Sequence, residues 1–171
     1  VKSIISKYKP KKIDLILDIG SNDGTTLKQY PRDFRHLIGV DPTGIKFKKL
    51  YPTYIKLISD FFSEELFKKH FQNKKPKIIT SLSMFYDLDD PLQFMKDIYN
   101  IIDDKGVWIF EQSYMPSMLK QNSYDTICHE HLEFYSIAQI KWMTDKIGFN
   151  ILDINFNNIN GGSFILNVSK R

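Results

Sequence analysis

The chain has 171 residues, 42% of them hydrophobic and 26% charged, with one cysteine and a formal net charge of +4. That length permits a sizeable core, no apolar run nears the ~20 residues a membrane helix needs, and a lone cysteine excludes an internal disulfide or a cysteine-based zinc ribbon. No secretory leader is legible, so the expectation is one domain over residues 1–171 in a reducing, cytoplasmic setting, without a membrane partner.

A basic lead, Val1–Lys12, has helix-like spacing and precedes the apolar run Ile13–Ile19, which ends in glycine and asparagine as buried parallel strands do on reaching a loop. Thr25–Tyr30 suits a short helix, His36–Asp41 a second strand, Lys46–Leu50 a helix and Thr53–Ile58 a third strand. Ser63–Phe71 starts with an N-cap serine and keeps helical apolar spacing. Lys77–Leu82 suits a fourth strand, Leu92–Ile102 an amphipathic helix and Gly106–Phe110 a fifth strand that ends at Glu111. Ser136 with Gln139 forms a capping box for a helix to Ile147, stopped by Gly148. Ile151–Phe156 and Ser163–Ser169, separated by an asparagine-rich turn, complete the pattern as an antiparallel hairpin. Strands alternating with helices predict an α/β, Rossmann-like, doubly wound sheet of seven mostly parallel strands closed by that hairpin.

In such sheets ligands bind beyond the carboxyl ends of the strands. Asp18–Gly24 (DIGSNDG) places Gly20 and Gly24 where the backbone must turn tightly and approach a ligand, with Ser21 and Asn22 between them. It is not the G-x-G-x-x-G dinucleotide fingerprint. Asp41, followed by Pro42, ends the second strand, where a carboxylate accepts from ribose hydroxyls; Asp60 and Phe61 follow the third, an acceptor and a ring suited to adenine. Singly, such glycines are turn residues and such acids helix caps. Their order along the chain joins them into one site, to which Ser81 at the end of the fourth strand is added.

This combination, running from about Leu15 to Val168, resembles the class I S-adenosylmethionine-dependent methyltransferases. The resemblance implies that S-adenosylmethionine is the cofactor, with Asp18, Gly20, Asn22 and Gly24 around its methionine part, Asp41 at the ribose, and Asp60 and Phe61 at the adenine. The loop Ser81–Pro91 lacks the Asn/Asp-Pro-Pro-aromatic signature of nucleic-acid N-methyltransferases, and the dispersed lysines suit solvated faces, so a nucleic-acid partner is not expected. Phe110–Leu119 (FEQSYMPSML), Tyr124–Ser136 (YDTICHEHLEFYS) and Asn160–Phe164 (NGGSF) resemble the nucleotide-sugar C-methyltransferases, and His129-Glu130-His131 is the most specific of these signs.

A carbon beside a keto group attacks a methyl sulfonium only after a base removes its proton. Histidine, with an unperturbed pKa of about 6.5, is suited to that task. By resemblance His131 is the base, Glu130 orients or assists it, and His129 bonds nearby; Tyr86, Glu111, Gln112 and Tyr114 are candidate substrate contacts. The same loop could instead hold a metal through its histidines with Cys128 or Glu133, or act only as structure. No resident metal is expected. Trp108 and Trp142 are expected in the core.

Family members commonly carry a cysteine-rich zinc domain and a further C-terminal domain; neither is found in these residues, so partner domains are expected elsewhere. Cys128 stands where many members have a tyrosine before H-E-H, and Phe85-Tyr86 occupies the loop where many have a histidine. These departures leave the acceptor open: a hydroxyl acceptor and a binding module that works with a partner domain remain as alternatives to carbon methylation of a (nucleotide-linked) sugar in carbohydrate biosynthesis.

Overall fold

A computed structural model describes residues 1–171, the side chain of Asn160 excepted. Seven strands form one sheet: β1 Leu15–Ile19, β2 His36–Val40, β3 Ile55–Ile58, β4 Ile78–Leu82, β5 Val107–Ser113, β6 Phe149–Asn157 and β7 Ser163–Lys170. Their spatial order is β3-β2-β1-β4-β5-β7-β6. β3 to β5 run parallel, while β7 is antiparallel to both β5 and β6. The chain winds outward from β1 in one direction and from β4 in the other, so their carboxyl ends border the switch point where such sheets bind ligands.

Six α-helices cover the two faces: α1 Lys2–Tyr8, α2 Thr25–Lys28, α3 Glu64–Phe71, α4 Pro91–Ile101, α5 Met115–Gln121 and α6 Ile137–Ile147. The larger core cluster joins Leu17, Ile19, Trp108 and Phe110 of the sheet to Phe67 of α3, Ile98 of α4 and Ile140 of α6. On the other face Ile16, Ile78 and Ile109 meet Leu27 of α2, with Ile4 and Ile5 of α1 packed against them. Alternation along β1 therefore sends neighbouring apolar residues to different clusters, which is why the strand is apolar almost throughout. Among the described residues no helix is long and apolar enough to cross a membrane.

Several expectations need correction. The helix expected at Lys46–Leu50 is a 3-10 run from Gly44 to Leu50, and Thr25–Tyr30 is a single turn ending at Lys28. β5 does not stop at Phe110 but continues to Ser113, because β7 pairs with it as far as Ser113↔Ser163; Glu111 and Gln112 are thus strand residues on opposite faces. α5 was not foreseen, although Pro116 in its first turn is a helix-start signal. Trp108 is fully buried and stacks on Phe110 at 4.2 Å, but Trp142 is 58% exposed on the outer side of α6. The capping box is formed: Ser136 accepts from the Ala138 amide while Gln139 accepts from the Ser136 amide, and Gly148 closes α6 in the left-handed region.

Candidate active site

The glycine loop is built from positive backbone angles. Gly20, Asn22 and Gly24 have φ of 71°, 47° and 77°, and asparagine is among the few side chains that enter this region readily. The Gly20 amide donates to the Val40 carbonyl at 2.9 Å and the Asp41 amide to Ile58 at 3.0 Å, drawing the ends of β1, β2 and β3 together. Asp41 binds the loop directly: Oδ2 accepts from the Asn22 amide at 2.8 Å, and Oδ1 accepts from the amide and hydroxyl of Thr43, each at 2.7 Å. Pro42 is exposed beside it. Asp60 turns back to accept from the Phe61 amide at 2.8 Å, and the Phe61 ring is 77% exposed at the same edge.

Asp18 is 3% exposed, with the Thr80 hydroxyl as its hydrogen-bond donor. Burial pushes its carboxyl up to about 7; the Thr80 bond opposes that shift and the charge of Asp41 adds to it. A buried carboxylate so raised, at the switch point and among the ends of parallel strands, fits a ligand that brings positive charge, as a sulfonium and an ammonium group do.

Two expected contacts are turned elsewhere. Ser81 is fully buried, and its hydroxyl accepts from the Trp108 indole at 2.9 Å; Thr80, one position earlier, is the side chain on Asp18's face. Ser21, 4% exposed, bonds Tyr51 at 2.9 Å, so its hydroxyl is engaged by another side chain. Tyr51 was not anticipated, because it meets the loop across 30 residues of sequence and no local pattern marks it.

Under α1, on the face of Asp18 and Thr80, a crevice of about 490 Å³ runs past Thr26, Thr80, Leu82, Glu111, Asn155 and Asn167. A larger one, about 1080 Å³, lies at the opposite edge near Arg35, His36 and Lys56, away from every strand end just described. The smaller crevice is therefore the relevant one, because it adjoins the partner of the buried carboxyl. Glu111 opens onto it and accepts from the Asn157 side chain at 3.1 Å. The other expected substrate contacts do not all converge there. Tyr114 packs its ring against Phe156 at 5.0 Å and Phe164 at 5.8 Å. Gln112 is fully buried, and among the described residues neither its amide nitrogen nor its oxygen has a partner.

The H-E-H segment lies in the connection between α5 and α6, and this connection is fastened to the loop after β4. The amides of Leu132 and Glu133 both donate to the Tyr86 carbonyl, at 2.9 and 3.1 Å. The His131 ring sits 4.4 Å from the Tyr86 ring, and its Nδ1 is 2.7 Å from the Thr126 carbonyl. A carbonyl oxygen only accepts, so Nδ1 carries the hydrogen and Nε2 of the neutral ring presents a lone pair. The orienting partner of His131 is thus Thr126 rather than Glu130. Glu130 and His129 are exposed in the turn, and Glu130 reaches the surroundings of Asp87. Burial raises the Asp87 carboxyl, His131 opposes the rise and Glu130 adds to it. The Tyr86 hydroxyl is likewise raised, chiefly by burial and next by Asp87, with Glu111 contributing. Cys128 is exposed and free, and among the described residues no group of three or more His, Cys, Asp or Glu side chains could hold a metal.

The Methyltransf_23 family, a methyltransferase domain, matches residues 4–154. The chain is 23% identical over 157 residues to the C-methyltransferase NovU of Streptomyces niveus, covering 90% of this chain and 37% of that protein. It is also 23% identical over 167 residues to the tRNA U34 carboxymethyltransferase of Helicobacter pylori strain J99, covering 88% of this chain and 62% of that one. Each of these curated relatives is thus substantially longer than the segment it shares with this chain. Among solved structures, the plantazolicin methyltransferase BpumL, in complex with a pentazolic desmethyl analogue and SAH, superposes with a TM-score of 0.72 at 13% identity over 99% of this chain and 81% of its own. That likeness concerns the fold.

Proposed function

The chain belongs to the Methyltransf_23 family, a methyltransferase domain with S-adenosylmethionine as its methyl donor, and from that premise we propose methyl transfer to a carbon beside a carbonyl group in a keto-deoxysugar or related, nucleotide-linked carbohydrate. The observation that carries this reading is the 2.7 Å contact of His131 Nδ1 with the Thr126 carbonyl, which leaves Nε2 as a proton acceptor beside the loop after β4. The C-methyltransferase NovU, a relative over 90% of this chain, favours carbon as the receiving atom.

In this reading Nε2 of His131 takes the proton from the acceptor carbon, and the electron pair left there forms the new bond to the methyl group. When bound, the donor supplies an electrophilic methyl on a sulfonium that departs as a neutral thioether. The imidazolium keeps its Nδ1 hydrogen on Thr126, so the positive charge forms on a ring already held by an acceptor. Tyr86, whose hydroxyl holds its proton more tightly than a free tyrosine, donates a hydrogen bond to the enolate oxygen. Asp18, Gly20, Asn22 and Gly24 surround the methionine end, Asp41 the ribose, and Asp60 and Phe61 the adenine. Residues 1–171 act as one donor-binding domain.

The test follows solvent deuterium into the acceptor. Wild-type protein with donor product and a candidate keto-sugar nucleotide should exchange the carbon-bound proton; His131→Ala should abolish exchange yet bind S-adenosylhomocysteine with unchanged affinity. Exchange retained in the variant removes His131 from the base role, and methylation without any exchange assigns the methyl to oxygen.

A further inference from the structure

We propose that Tyr51 is a positioning residue for the methyl donor: bonded to Ser21 and Asn22 through space that two glycines leave open, it fixes the Asp18–Gly24 loop in its binding conformation before the donor arrives. The proposal rests on the assignment of that loop to the donor made above.

Tyr51 follows the 3-10 run Gly44–Leu50, and its phenol oxygen lies 2.9 Å from both Ser21 Oγ and the Asn22 carbonyl oxygen. One phenol has one proton. Because the carbonyl only accepts, that proton goes to Asn22 and the Ser21 hydroxyl donates to the phenol oxygen. Both partners lie in the short stretch that must hold φ of 47° at Asn22 between two glycines that also have positive φ. The contact thus stabilises the least favourable backbone angle of the loop.

The space for this contact is specific. A Cβ at Gly39 in β2 would fall 2.5 Å from Ser21 Oγ and 3.1 Å from the Tyr51 hydroxyl; a Cβ at Gly24 would fall 3.0 Å from the Tyr51 ring. Gly39 is an interior strand residue whose own backbone needs no glycine, so a close approach accounts for it. Burial holds the Tyr51 hydroxyl up at about 12; Ser21 opposes this rise, and the carboxylates of Asp18, Asp41 and Asp23 add to it. The phenol therefore keeps its proton throughout the ordinary pH range. Tyr51 touches the loop at Ser21 Oγ and the Asn22 carbonyl, so it acts on the donor through the loop it holds.

The experiment compares wild type with Tyr51→Phe, which keeps the ring and removes only the oxygen, and with Gly39→Ala. Amide hydrogen exchange at residues 20–24 is read without ligand, S-adenosylhomocysteine affinity by calorimetry, and global stability by thermal melting. Faster exchange confined to the loop, with roughly tenfold weaker affinity in Tyr51→Phe, is expected, the loss of one part-buried and one exposed hydrogen bond. Gly39→Ala should move exchange and affinity the same way. Unchanged loop exchange and an affinity within about twofold of wild type would overturn the proposal, as would a lowered melting temperature with both local readouts intact. If wild-type protein binds no S-adenosylhomocysteine, the donor reading fails at that step, and unaltered loop exchange in Tyr51→Phe would still defeat the tyrosine lock on its own.

Discussion

At Asp18 the fold holds a carboxyl group at about 7, well above the ordinary 3.8. The unfolded chain ionises this group first as pH rises, so its contribution to stability is fully present below about 4 and is lost by about 7. Asp18→Asn should flatten that part of the stability–pH curve, as measured by urea unfolding at several pH values, while removing donor binding. A cationic ligand prefers the ionised form, so donor affinity should move the other way. It should weaken by roughly tenfold per pH unit below the Asp18 midpoint and level off above it, with proton release visible by calorimetry in buffers of different ionisation enthalpy. Affinity independent of pH through this range would mean that Asp18 does not face the positive end of the donor.

At the scale of elements, α6 begins where the His131 connection ends. Ser136→Ala removes one side of the capping box and should cost about 1 kcal/mol, lowering the melting temperature by roughly 2–4 °C for a domain of this size. Much of the element order was legible because each parallel strand is an apolar run that stops at a glycine or an acid, as Ile19-Gly20 and Val40-Asp41 do. What was not legible has physical causes. The polar ending of β5, Glu111-Gln112-Ser113, hides a strand whose length is set by pairing with β7, 50 or more residues later in the sequence. The hydroxyls of Ser21 and Ser81 are aimed by side-chain alternation and by the partners Tyr51 and Trp108, neither of which local sequence reveals. Thr126 became the partner of His131 only because the loop folds back over five residues, whereas the family resemblance had favoured Glu130.

Across the whole molecule, the order β3-β2-β1-β4-β5-β7-β6 turns residues scattered from Asp18 to Glu111 into neighbours along one edge. A donor bound at the proposed site would tie β1, β2 and β3 together, so that ligand and fold would be thermodynamically linked. With S-adenosylhomocysteine at about one hundred times its dissociation constant, the gain should be about 2.7 kcal/mol, a rise of roughly 5–10 °C seen by thermal-shift fluorescence. Asp41→Ala should abolish that rise, since Asp41 joins the Asn22 amide to the end of β2. An undiminished shift in this variant would place the ligand elsewhere.

Gln112 is sealed inside this architecture, and among the described residues no neighbour answers either end of its amide. Such a group weakens the resting protein by about 1–3 kcal/mol, and a thioether of similar shape would relieve it. Gln112→Met should therefore be hardier than the natural chain in chemical denaturation, with donor affinity untouched. A variant that unfolds no later than the natural chain would show that this interior amide carries no penalty worth removing.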